Sequence, residues 1–226
     1  MSETEALFET QGVSRVYRSG RGAQIEALHD VSLTIPRGAF VVLRGPSGSG
    51  KTTLLALLAA LDHPTKGTVR FDGQDLQRAS EAERSRIRRR LGIVFQQARM
   101  LRGLPLWENV TYPLIPQGVG GPERAEIATK LLEGVGIVGR QRARPEELSG
   151  GELQRVGIAR ALAAQPEAVL ADEPTSDLDP ESAEAVIALL KGIHAAGRTV
   201  VAASHDPLLQ ELATHTFRLR AGRLQI

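Results

Sequence analysis

Between the apolar run Phe40 to Leu43 and a second one from Thr53 stands Gly45-Pro46-Ser47-Gly48-Ser49-Gly50-Lys51-Thr52. No other stretch limits the fold as much. A strand must enter, a glycine-rich loop must curl, and a helix must begin beside Lys51, because only that context makes the spacing a phosphate cradle. The glycines let successive N–H groups point inward at phosphate oxygens. Lys51 then bridges the β and γ charges, and the Thr52 hydroxyl is placed to ligate magnesium, with Thr53 opening the helix.

Such a cradle requires a second apolar strand that ends in carboxylate, and "AVLADEP" supplies it with Asp172 at the carboxyl end. Asp172 is expected to hold Mg2+, usually through water, and Glu173 lies one residue closer to the attacking water. A third run, Thr199 to Ala203, ends in Ser204-His205-Asp206. His205 thus also leaves a strand at its carboxyl end, where open α/β sheets bind ligands. It is assigned to the γ-phosphate and to orienting water together with Glu173, with Lys51 as the third catalytic group. His29, His63, His194 and His215 have no such context and are read as structural.

Ahead of the loop, β-rich runs at Leu7 to Tyr17 and Ile25 to Ile35 are joined by "RSGRG" and closed by "PRG", an antiparallel signal. From Pro180 a helix is well punctuated: Asp179 caps it, Pro180 opens it, and Ala183, Val186, Ile187 and Leu190 form its apolar stripe. Residues 96–164 read as helical, broken by Pro105, Pro113, Pro116, Pro122 and Pro145. The expected organisation is one domain with a core over 1–95 and 165–226 and a helical subdomain over 96–164. Formal charge is +2, from 28 basic and 26 acidic residues, and aromatics are not interleaved with the run Arg84 to Arg90. That run is read as a solvated helix face, and no nucleic-acid partner is expected. There is no cysteine, no apolar leader in the first twenty residues and no apolar run of bilayer length, which favours a reducing cytoplasm.

A second glycine loop, "SGGELQR", opens another helical stretch. Ser149 and Glu152 spell a capping box that satisfies orphan N–H groups without any ligand. Two consecutive glycines, Gly150 and Gly151, are each unfavourable in a helical turn, so close approach of the backbone to something large accounts for them better. The Ser149 hydroxyl has two readings, helix cap or phosphate contact. Glu152 beside a γ-phosphate would repel it by about 4 kcal/mol at 4 Å and an effective dielectric of 20, so its carboxylate is expected to turn aside.

In this order, "GPSGSGKTT", "VFQQ", "LSGGELQR", "VLADEPTSDLD" and "ASHD" resemble the nucleotide-binding subunit of ATP-binding-cassette proteins over essentially the whole chain. The resemblance implies an α/β P-loop NTPase core with a parallel sheet, an N-terminal antiparallel β subdomain and an inserted helical subdomain. It implies an ATPase that uses ATP and Mg2+ and works as a homodimer with ATP at the interface, each signature loop facing the other copy's phosphate loop. By the same resemblance, Gln96 meets magnesium and water, Tyr17 stacks on adenine, and Asp179 communicates across the dimer. An integral membrane permease is the implied partner and the inner face of the cell membrane the implied location.

"ALHDVSLTIPRGAF", "LDHPTKGTV" and "LSGGELQRVGIARALA" further resemble the lipoprotein-release, macrolide-export and cell-division branch. Departures are Leu153, Asp177 and "GLPLWENV", the last in the segment expected to meet the membrane partner. Two other classes stay open. One is an ATPase that regulates a membrane protein without moving cargo. The other is a soluble cassette acting on DNA or ribosomes, which the single set of motifs and the short spacing from Lys51 to Ser149 disfavour.

Overall fold

The structure is a computed structural model that describes residues 5–18 and 24–225. The chain opens with two long strands, β1 (Ala6–Arg18) and β2 (Gln24–Pro36), followed by β3 (Phe40–Arg44) and the helix α1 (Lys51–Leu58). Next come β4 (Lys66–Phe71), the short β5 (Gln74–Asp75), α2 (Glu81–Arg89) and β6 (Leu91–Val94). Helices α3 (Leu106–Thr111), α4 (Gly121–Gly134) and α5 (Gly150–Leu162) follow, with 3₁₀ turns at Tyr112–Gln117 and Pro145–Glu147. The chain then alternates through β7 (Ala168–Asp172), α6 (Pro180–Ala195), β8 (Thr199–Ala203), α7 (Pro207–Glu211), β9 (His215–Arg220) and β10 (Arg223–Gln225). The expected "RSGRG" connection lies outside the described residues beyond Arg18.

Two sheets result. The antiparallel one has the order β2-β1-β4-β5, and the other runs β10-β9-β3-β8-β7-β6, parallel from β9 to β6. Alternation along the parallel strands sorts side chains to two layers. Val41, Leu43, Leu170 and Val201 face α1 and the antiparallel sheet, in one core with Leu54, Leu57, Leu58, Phe8 and Phe71. Phe40, Val42, Val169, Ala171, Val200 and Ala202 face the other way, against Val186, Ile187, Leu190 and Ile193 of α6 and Ile158 of α5. Ala183, expected in the α6 stripe, is only half-buried.

A separate apolar cluster joins Leu106, Val110, Leu132, Val135 and Ile137 to Val156 and Ala159 of α5. Helix α5 therefore packs one side on the helical layer and the other, through Ile158 and Ala161, on the sheet. Among the described residues, no helix is long and apolar enough to cross a membrane.

The run Arg84 to Arg90 is only in part the solvated face its composition implies: Arg86 and Arg89 are exposed, but Arg84 is buried. Arg84 is only 4% exposed, and its Nη2 donates to Ala60 O at 2.8 Å while Nη1 meets His63 Nδ1 at 2.7 Å. Carbonyls left open beyond the end of α1 compensate the buried guanidinium, although burial still pulls its pKa down. Arg90 joins Arg37, Asp72 and Glu167 in an ion network that Glu5 extends at Arg37, with Arg37 Nη1 to Glu167 Oε2 at 2.8 Å and Arg90 Nη2 to the same oxygen at 2.9 Å. It links β4, the β2–β3 turn and the chain entering β7 at the amino ends of the parallel strands.

The Arg90 hydrogen bond holds the Asp72 carboxyl below its usual value, and the Glu167 carboxyl likewise. A depressed native pKa stabilises the fold above the unfolded value near 4, and that contribution is lost as pH falls through the lower native values. Asp72→Asn should cost about 1 kcal/mol at neutral pH, the members being about one-third exposed, and should flatten the loss of stability on acidification below about pH 4. Urea unfolding at pH 7 and at pH 3 measures both effects.

Candidate functional site

Strand order sets the site. Because β3, β8 and β7 are adjacent and parallel, their carboxyl ends deliver the phosphate loop, His205 and Asp172-Glu173 to one edge. A cleft of about 480 Å³ opens there, lined among others by Ser47, Lys51, Thr52, Gln96, Glu173 and His205.

The loop from Gly45 to Gly50 has no room for a side chain at either of its two end glycines. At Gly45 (φ +150°) a Cβ would lie 2.1 Å from Leu219 O. Gly50, in the left-handed conformation, precedes α1, whose first turn has neither a side-chain cap nor an acidic residue. Its orphan N–H groups therefore face the cleft. Ser49 Oγ is buried there without a hydrogen-bond partner. Lys51 is nearly buried, 8% exposed, and its Nζ donates to Gly45 O at 2.7 Å and sits 3.2 Å from Glu173 Oε1. Uncapped amides, an orphaned hydroxyl and a buried ammonium together fit a polyanion such as a triphosphate.

Glu173, 16% exposed, is held between Lys51 and His205, whose Nδ1 is 3.0 Å from Glu173 Oε2; the histidine is 77% exposed. The glutamate has φ +42°, an uncommon conformation for a side chain with a Cβ, fixed by Glu173 N–H donating to Ala203 O at 2.8 Å and Ser176 N–H donating to Glu173 O at 3.1 Å. Asp177, the departure noted above, has φ +61°, which an aspartate tolerates better than most residues.

Thr52 Oγ1 donates to Asp172 Oδ1 at 3.1 Å. Burial raises the Asp172 pKa, opposed by that hydroxyl and by Lys51 and reinforced by the Glu173 charge. Among the described residues, no three histidine or carboxylate side chains converge as a metal cage. An all-oxygen set of one hydroxyl, one carboxylate and the Gln96 amide fits Mg2+ completed by phosphate oxygens and water.

Sequence reasoning missed part of this wall. Ile25, Glu26 and Ala27 of β2 line the cleft, as does Ser176, whose hydroxyl is buried without a partner. Their only sequence signal is the β pattern of the second strand and the position of Ser176 past the carboxylates. Tyr17 is not among the residues lining the cleft; it is paired in register with Ile25, which is, and so lies beside it on the same sheet face.

Ser149, Gly150, Gly151, Glu152 and Asp179 do not line this cleft. The capping box forms: Glu152 N–H donates to Ser149 Oγ at 3.2 Å, and Ser149 N–H donates to Glu152 Oε2 at 2.8 Å. The Ser149 hydroxyl therefore caps the helix, and its own O–H is still a donor. Glu152 turns aside as expected, with Oε1 2.7 Å from Arg140 Nη1, and the Ser149 N–H bond foremost holds its carboxyl below the usual range.

The glycine pair needs a correction. A Cβ on Gly151 would lie 2.2 Å from Oγ and 2.6 Å from Cβ of Ser182 in α6, whereas one on Gly150 meets nothing within 4 Å. Gly151 is thus explained within the chain by the contact of α5 with α6. Gly150 alone is left open to an outside partner. Asp179 caps α6 by accepting from Ser182 N–H at 2.9 Å.

A family model described as ABC transporter matches residues 28–176. The chain is 41% identical, over 97% of its own length and 94% of the relative's, to an "Uncharacterized ABC transporter ATP-binding protein" of Thermotoga maritima. It is 39% identical over 97% of its length to the macrolide export ATP-binding/permease protein MacB of Neisseria gonorrhoeae, of which it spans 34%. Among solved structures, it matches a dimeric post-hydrolysis state of the ATP-binding cassette MJ0796 bound to ADP and Pi, with a TM-score of 0.90, 37% identity and 97% of both chains covered.

The two glycines should separate in stability. Gly151→Ala should destabilise by about 1–3 kcal/mol through overpacking against Ser182, and Gly150→Ala should be neutral or stabilising by about 0.5–1 kcal/mol. Thermal unfolding of the two variants checks this.

Proposed function

The chain belongs to the ABC transporter ATP-binding family and is an ABC ATPase; from that membership we propose that two copies close on ATP to drive a separate membrane permease. One observation carries this reading. The phosphate cradle, Asp172, Glu173 and His205 meet at one sheet edge, while the signature loop at the start of α5 takes no part in lining the cleft of its own chain. A second copy placed head to tail would complete the site, and the MJ0796 cassette, a dimer bound to ADP and Pi, supports the pairing of two copies.

In the proposed mechanism Lys51, Ser49 and the backbone N–H groups of residues 47–53 hold the triphosphate, and Tyr17 takes the base. Bound Mg2+ neutralises developing phosphoryl charge; Thr52, Asp172 and Gln96 hold it. Glu173 orients and polarises the attacking water, and His205, hydrogen-bonded to it, positions the γ-phosphate. Phosphate oxygens compete with Glu173 for the Lys51 ammonium, which frees the carboxylate to face water. Ser149 and Gly150 of the second copy close over the phosphates, and Asp179 lies at the dimer seam.

The permease is proposed to dock in a groove of about 430 Å³ between α2, β6 and the turn after α3. Phe95, Tyr112 and Pro113 give it an apolar floor, and Arg88, Arg89, Arg99 and Arg160 ring it. An amphipathic segment with carboxylates at its edges suits that lining. The likeness to the macrolide export protein MacB supports an exporter of the macrolide type; the lipoprotein-release type and a place on the cytoplasmic face of the membrane follow from the sequence resemblance alone.

Glu173→Gln should lower ATP turnover by about 10²–10⁴-fold while ATP binding persists and the dimer accumulates. Hydrolysis at the wild-type rate would remove Glu173 from the role. Arg89→Glu with Arg99→Glu should abolish copurification of the tagged chain with its permease and leave basal ATPase activity unchanged. Retention of the complex would place the partner elsewhere.

A further inference from the structure

The segment Asp62-His63-Pro64-Thr65 follows α1 and takes no part in the chemistry above, yet both of its ends are bonded to β1. The Asp62 carboxylate accepts from Arg15 Nε at 2.9 Å and Arg15 Nη2 at 2.7 Å, and from the Tyr17 hydroxyl at 2.8 Å. The Arg15 guanidinium in turn lies over the Tyr17 ring, 4.5 Å from its centroid. Thr65 locks the two backbones together: its N–H donates to Ser14 O at 2.7 Å, and its Oγ1 accepts from Val16 N–H at 2.9 Å. From behind, Arg84 braces the turn through Ala60 O and His63 Nδ1.

The triad is mutually consistent. Burial opposes the Asp62 charge, but the His63 N–H, the Tyr17 hydroxyl and Arg15 together hold its carboxyl below the usual range. A planar guanidinium that is bidentate to a carboxylate has little freedom left, so it covers one ring face in a fixed pose. Tyr17 is still 37% exposed. Its hydroxyl is tied, one face is covered by a cation, and it stands across β1–β2 from Ile25 in the cleft wall.

We propose that Arg15 and Asp62 are positioning residues for the base end of the nucleotide. They set the Tyr17 ring before the base arrives, so its ordering is not lost from binding. The same helix is involved at both ends. The first turn of α1 faces the phosphates and the turn after its last residue holds the ring, so base platform and phosphate cradle belong to one rigid piece. The proposal rests on Tyr17 as the base platform, and the experiment separates the two.

The full-length chain is assayed for KM and kcat with ATP, for inhibition by inorganic tripolyphosphate, which has the anion but no base, and for melting temperature. Tyr17→Ala should raise KM about tenfold, in line with the loss of one base-stacking contact. Asp62→Ala and Arg15→Gln should raise it by about three- to fivefold and Tyr17→Phe by about threefold, with kcat unchanged, as fractions of that stacking contact. Tripolyphosphate inhibition should be the same in all four variants.

A raised KM in Tyr17→Ala with wild-type values in both Asp62→Ala and Arg15→Gln overturns the positioning role and leaves the platform standing. Wild-type KM in Tyr17→Ala overturns the platform and the positioning role with it. Weakened tripolyphosphate inhibition in Asp62→Ala, parallel to its KM, makes Asp62 a prop of the phosphate loop and overturns the proposal. Should Asp62→Ala fail to fold, Tyr17→Phe decides, since it removes only the hydroxyl: an unchanged KM there overturns the clamp.

Discussion

The buried ammonium of Lys51 is the constraint around which the sheet is arranged. A cation this far from water must be met by oxygens, and the chain meets it with loop carbonyls and one carboxylate, Glu173. Those oxygens come from segments more than a hundred residues apart, and only adjacent parallel strands bring them together. The order β3, β8, β7 at the centre of the sheet thus follows from electrostatics as much as from the apolar alternation of the strands. The strained backbone of Glu173 fits the same requirement. One residue further along an ordinary strand would point the carboxylate to the opposite face, and the left-handed turn returns it toward the ammonium.

Much of this was legible because the chemistry sits at punctuation. Parallel strands buried on both faces read as short apolar runs with sharp ends, so Asp172, Glu173 and His205 announced themselves by what they follow. Strands without that signature did not: β6 has four residues, and β9 mixes charged and apolar positions at the sheet's hairpin edge. The helices over residues 96–164 were legible from period and proline. The double allegiance of α5 was not, because small and branched residues surround it on nearly all sides.

Arg84 and Gly151 mark the limit of local reading. An arginine among five reads as solvated, and nothing nearby shows that open carbonyls past α1 await a guanidinium. Two glycines at a helix start read as a pair with one purpose, yet one answers to Ser182 in the next helix and the other to nothing within 4 Å among the described residues. Both depend on which elements meet in space. The capping box differed: its members are three residues apart, and the forecast sideways turn of Glu152 is present.

The contact of Gly151 with Ser182 also bears on how such chains diverge. The starts of α5 and α6 touch with no spare volume, so the two positions share one space and cannot drift independently. Where descent enlarges residue 151, residue 182 must shrink or the helices must part. Parting would carry the signature loop away from the Asp179 loop, splitting the surface that a second copy would meet. Among divergent relatives, residues 151 and 182 should therefore read as one inherited unit.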